Sequence, residues 1–185
     1  MRQTVGLFLT ILVSVAGCSQ EKSAAPKPVT GFMAEARRDP VRAAKEFSRL
    51  VETASWTYMR EPVVVEIEAH IVERGLVAPE DQEFVRRVVA LPDALGAKAV
   101  LAMILDKRAE RADEHERGQR VSEIAGLFEQ PGVVAWLMLD GMSQQRWAMR
   151  SIVKKLTADD PGRVRRIFEK LLKEMTLALK EMTLA

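Results

Sequence analysis

Six prolines punctuate this chain from residue 40 onward: Pro40, Pro62, Pro79, Pro92, Pro131 and Pro161. Proline has no N–H to donate, and its ring clashes with the carbonyl four residues earlier, so it kinks or breaks a helix interior. In the first helical turn neither defect matters, because that N–H has no partner inside the helix and the fixed φ already suits it. Apolar residues at helical spacing follow several of these prolines. Asp39-Pro40 opens a segment with Val41, Ala44, Phe47, Leu50 and Val51 on one face. Pro79 precedes Phe84, Val85, Val88 and Val89. Pro92-Asp93 precedes an alanine-rich run through Ala102, Met103 and Leu105, which continues through "DKRAERADEHERGQR" to Ile124, Leu127 and Phe128. Pro131-Gly132 interrupts the pattern, residues 133–139 and 142–156 resume it, and a last segment starts near Asp160-Pro161. The spacing predicts an all-α domain over residues 32–185, a single bundle of about six helices.

One segment reads two ways. In "VVVEIEAHIVE", Val65, Ile67, Ala69 and Ile71 alternate with Glu66, Glu68 and His70, which is strand periodicity. A lone strand would leave its backbone groups unpaired. Glu61-Pro62 before it and Gly75 after it suit helix ends, so helix is expected here. Roughly 150 residues is one domain's worth of chain, enough to bury a core without disulfides. With 48% apolar residues the chain falls outside the disordered class.

The head of the chain is different. Met1 and Arg2 make a short basic start, and Val5, Leu7, Phe8, Leu9, Ile11, Leu12, Val13 and Val15 form an apolar run. Small residues Ala16 and Gly17 precede Cys18, the single cysteine. This is the layout of a secretory signal peptide, and the run falls short of the ~20 residues of a membrane-spanning helix. Val15-Ala16-Gly17-Cys18 resembles the lipobox of bacterial lipoproteins. The resemblance implies cleavage between Gly17 and Cys18, lipidation of the Cys18 thiol and acylation of the new amino terminus. Stable anchoring takes more than one acyl chain. The other reading is a free cysteine in an ordinary signal peptide, which would leave an odd thiol in an oxidising compartment. Ser19 stands where an aspartate commonly implies inner-membrane retention in Gram-negative lipoproteins, so the resemblance implies an outer-membrane anchor facing the periplasm. Residues 18–31, "CSQEKSAAPKPVTG", have linker composition after the lipidated cysteine and are expected to tether the domain. Removing 1–17 leaves 27 basic residues against 26 acidic ones, net +1, so charge alone names no partner. Nucleic acid is not an expected partner outside the cytoplasm.

Four groups of residues could carry chemistry. Glu66, His70 and Glu73 fall at i, i+4 and i+7, so one helix face could present them as half of a metal site; the bland reading is a solvated face. No metal and no other cofactor is expected overall. Ser151-Ile152-Val153-Lys154 has the S-x-x-K spacing in which a lysine activates a serine, but the S-D-N and K-T-G partners are absent. Met138, Met142 and Met149 lie near Trp136 and Trp147, a grouping that suits a core first, a partner groove second and a soft-metal site third. In the last segment Arg163, Arg166, Lys170 and Lys173 share one face, and Val164, Ile167, Phe168, Leu171, Leu172 and Met175 share the opposite one. The apolar face is expected to be buried and the basic face to stand in solvent, where it could dock an acidic partner or anionic headgroups.

The chain closes on a perfect repeat, "LKEMTLALKEMTLA", with Leu172/Leu179 and Met175/Met182 at heptad spacing. Two heptads fall short of the three or four that argue for a coiled coil. The second copy is expected to extend past the packing, and the C-terminal helix is the place for any self-association. Anchor and helical class together suggest a non-enzymatic envelope accessory protein that binds another envelope protein, as assembly or secretion accessory lipoproteins do. The alternative is an envelope hydrolase or metal-binding protein using Glu66, His70 and Glu73.

Overall fold

The computed structural model describes residues 31–54, 59, 61–139 and 143–184. Within them the chain is all helix: α1 (Phe32–Arg38), α2 (Pro40–Thr53), α3 (Pro62–Arg74), α4 (Pro79–Ala90), α5 (Leu95–Arg111), α6 (Glu114–Phe128), α7 (Pro131–Leu139), α8 (Ser143–Asp159) and α9 (Pro161–Leu184). Five of the six prolines open a helix, at Pro40, Pro62, Pro79, Pro131 and Pro161. Pro92 lies instead in the connection between α4 and α5.

Nine helices among the described residues replace the expected six or so, for two reasons. The first is α1, which has no apolar run long enough to stand out. It is held from a distance: the Phe32 and Met33 backbone N–H groups donate to Glu66 Oε2 and Oε1 at 3.0 and 2.9 Å. That carboxylate does from α3 what a capping side chain normally does from within the helix. Gly31 enters the helix at φ +69°, and a Cβ there would collide with the Glu66 carboxylate. The second reason is a break in the long segment from 93 to 128. Asp113 Oδ1 accepts from the Glu116 backbone N–H at 2.8 Å, which starts α6 afresh. Arg117 donates to the Ala109 and Ala112 carbonyls at 3.2 and 3.1 Å, which closes α5. The Arg108 guanidinium then pairs with Glu116 across the turn, with Nε 2.8 Å from Oε1. The hairpin is therefore pinned by charge beside its turn.

α5 is the hub. It packs against α2, α3, α4, α6, α7 and α8, and its side chains are buried from Gly96 through Asp106. Ala97, Ala99 and Ala102 are fully buried there; small side chains let neighbouring helices come close on every side of the hub. A helix apolar all round is a buried one. Its two buried charges find partners: Lys98 Nζ donates to Gln130 Oε1 at 2.9 Å, and Asp106 receives Lys155. At one end of the bundle Phe84 of α4 meets Phe32 and Phe47 edge-on at 6.1 and 6.0 Å between centroids, joining α1, α2 and α4. The ambiguous segment is α3. Val64, Ile67 and Ile71 are buried at i, i+3 and i+7, while Val65 is half exposed, so its alternation of residue types is not followed by alternation of burial. Gly75 ends it at φ +72°.

Candidate functional site

Glu66, His70 and Glu73 all lie on α3, but the structure sends them to three different surroundings. Glu66 caps α1 as described. Glu73 is exposed. His70 turns inward, and its Nε2 lies 2.9 Å from Asp81 Oδ2 of α4. Arg37 of α1 donates to the same carboxylate through Nε and Nη2, at 2.8 and 2.7 Å. Asp81 is 2% exposed. Burial alone would push its carboxyl up, but the hydrogen bonds from Arg37 and then His70 outweigh that and bring it down to about 2. An ionised carboxylate only accepts, so His70 Nε2 carries the proton in this contact. Arg37, His70 and Asp81 thus tie α1, α3 and α4 together beneath the surface. Among the described residues no group of three or more His, Cys, Asp or Glu is placed to hold a metal ion.

The serine–lysine pair is also redrawn. Lys154 is exposed, and Lys155 is the lysine that meets Ser151, with Nζ 2.9 Å from Oγ. The same ammonium donates to Asp106 Oδ1 at 2.6 Å and to Glu110 Oε1 at 3.2 Å. Ser151 Oγ donates in turn to Glu110 at 3.3 Å. A lysine that activates a serine must accept its proton, whereas this one donates to the hydroxyl. The cluster is an ion-pair seam between α5 and α8. Burial pushes the Asp106 carboxyl up, and Lys155 pulls against that shift.

Of the methionine group, Met142 lies outside the described residues, Met138 is exposed and Met149 is half-buried beside the core. Trp136 is half-buried, and Trp147 is 73% exposed.

The last helix is where surface chemistry concentrates. α9 packs on α7 and α8, with Ile167 and Leu171 buried and Val164 and Phe168 half-buried. Asp160 accepts the Arg163 backbone N–H at 2.9 Å, capping its start, and this bond leads the causes that hold the Asp160 carboxyl below its usual range. Leu172 and Met175 were expected inside, yet they are 63% and 44% exposed, whereas Leu177, on the basic side of the helix, is exposed as its position there predicts. The reason is reach: beyond Leu171 every α9 side chain that is described is exposed, so the stripe continues after its partners have ended. The run of described exposed residues, 172–177, covers about 9 Å of helix at ~1.5 Å per residue. Of the basic face, Arg166, Lys170 and Lys173 are exposed as expected and Arg163 is half-buried. Arg163 pairs with Glu129 at 2.6 Å, and Lys170 Nζ donates to the Glu129 carbonyl at 3.2 Å. Both basic groups therefore close the C-terminal end of α6, where cations are favoured by the helix dipole. Arg166 reaches Asp160 loosely at 3.5 Å and is largely exposed. Lys173 lies within the exposed run.

Compared with known proteins, the chain matches no family model, no curated protein and no solved structure. Gly17 and Cys18, with the whole head and most of the tether, lie outside the described residues. No helix among the described residues is long and apolar enough to cross a membrane.

Proposed function

We propose that this chain is a lipid-anchored accessory protein of the cell envelope, held through Cys18 at the outer membrane and facing the periplasm. Its bundle binds another envelope protein and has no catalytic role. The observation that carries the docking role is the exposed apolar pair Leu172 and Met175, which carries the packing stripe of α9 on beyond Leu171 into solvent. An amphipathic helix that leaves its own core is suited to lie in a groove on a partner, reading it through residues three and four apart. The tether of residues 18–31 supports this reading, since it would let the bundle move about a fixed lipid anchor. The hydrolase or metal reading loses its residues, because Glu66 and His70 are engaged in capping and in the Asp81 network.

The test uses cross-linking in intact cells with the full chain, Cys18→Ala, and a chain ending at Leu171. Expected are a partner cross-linked by the full chain and lost on truncation, and loss of lipid label and membrane fractionation in Cys18→Ala. A truncated chain that keeps the same partner overturns the docking role. A Cys18→Ala chain that still fractionates with membranes overturns the anchor. If the cross-linked species is a second copy of the chain, the repeat is a self-association element.

A further inference from the structure

An open groove of about 650 Å³ runs between α4 and α6. α4 lends Val85 and Val89, α5 lends Leu105, α6 lends Leu127, and the turn before α4 lends Leu76. Nothing lies within 4 Å of where a Cβ on Gly126 would stand, so the α6 wall is open there, and Gln119, Arg120 and Glu123 make most of the rest of that wall polar. A volume of this size falls in the ~300–1,000 Å³ range of small-molecule sites, which pair apolar walls with a few placed polar groups.

The placed group here is Arg120 of α6, which lines the groove and is only 4% exposed. Its Nη2 donates to Gln119 Oε1 at a long 3.3 Å. Its Nη1 lies 3.0 Å from Glu123 Oε2, but the pair lacks hydrogen-bond alignment. Nε, Nη1 and Glu123 Oε2 are all buried without a hydrogen-bond partner among the described residues. Buried polar groups are almost always satisfied, and exceptions call for an explanation. Burial pushes the Glu123 carboxyl up, and Arg120 pulls against that shift. Arg86 of α4 adds a second cation at the rim, paired to Glu83 at 2.9 Å.

We propose that this groove binds a small amphiphile bearing one carboxylate, with the carboxylate on Arg120 and the apolar tail along Val85, Val89, Leu105 and Leu127. A carboxylate supplies the acceptors that the guanidinium lacks, and such charge-assisted bonds are the strong ones. A single buried arginine beside a glutamate suits one negative charge better than two. The site is independent of the docking proposed for α9, which packs on α7 and α8.

The test titrates the full chain, labelled at Val and Leu methyl groups, with octanoate and with octan-1-ol, and follows the methyl resonances by NMR. These ligands share a tail and differ in the charged head. Expected are saturable shifts at Val85, Val89, Leu105 and Leu127, with octanoate bound about tenfold or more tightly than the alcohol, as befits a charge-assisted bond. Arg120→Met should bring the two affinities together, and Glu123→Gln, which removes the competing carboxylate, should tighten octanoate alone. The proposal is overturned if the groove methyls do not respond, or if the alcohol binds as tightly as the carboxylate. Should Arg120→Met fail to fold, the alcohol comparison and Glu123→Gln decide the matter.

Discussion

Asp81→Asn removes the charge at the centre of the network joining α1, α3 and α4 and keeps the size of the side chain. The Asp81 carboxyl stands at about 2 in the folded protein, against 3.8 for an ordinary aspartate. At ~1.36 kcal/mol per pH unit, that difference corresponds to about 2 kcal/mol of folding stability. Removing one partner of a buried pair also leaves the others poorly satisfied, which costs about 3–5 kcal/mol in deep sites. The Arg37 side chain keeps 33% of its exposure and can turn to water, so the lower part of the combined range applies. We expect Asp81→Asn to lower stability by about 2–3 kcal/mol at pH 7. The sign in pH follows from the depressed value. The contribution is fully present above the unfolded carboxyl pKa of ~3.9 and is lost as pH falls through the folded value, so the gap between wild type and variant should close between about pH 5 and pH 2. Urea unfolding at a series of pH values, read as the difference between the two proteins, isolates this group from the other carboxylates. A gap below ~1 kcal/mol at pH 7, or one that stays constant down to pH 2, would refute the reasoning.

Glu66→Ala should detach the start of α1 and cost about 1–2 kcal/mol in chemical denaturation, as loss of a helix cap does; hydrogen exchange should then be faster in α1 than in α9. Lys155→Met, which strands the buried Asp106, should cost about 3 kcal/mol or more, while Lys154→Met stays within ~0.5 kcal/mol; equal effects would undo the assignment of Lys155 as the interacting lysine. Removing residues 179–185 should leave the melting temperature nearly unchanged, and Ile167→Ala should cost about 2–5 kcal/mol. Phe168 is only half-buried, so Phe168→Ala should fall below the ~3–5 kcal/mol of a fully buried ring.

The fold class was legible because apolar spacing is a long-range average that single errors do not upset. Boundaries were harder. The break at Asp113 carries a local signal, an aspartate three residues before Glu116, but it is hidden in a run of mixed charge rich in the helix formers Lys, Arg, Glu and Ala. α1 carries hardly any signal of its own, because its cap is a side chain more than thirty residues away, on α3. Among the candidate residues, spacing placed Glu66, His70 and Glu73 on one helix correctly. It could not say that the helix would turn them toward different neighbours.

The sequence alone determined that none of the six prolines could stand inside a helix: Pro40, Pro62, Pro79, Pro131 and Pro161 open helices, and Pro92 lies in a connection. A proline ring restricts its own φ and lacks its own N–H whatever surrounds it, so the consequence is local and covalent. Only the tertiary structure decided that Asp81 answers His70, that Lys155 rather than Lys154 crosses to Asp106, and that Arg163 and Lys170 close the end of α6. It also decided that, among the described residues, Leu171 is the last buried one of α9 although the apolar pattern runs on through Leu172 and Met175. Periodicity says which side chains share a face. Whether that face is covered depends on the neighbours it meets, here α7 and α8, and the sequence of α9 does not contain them.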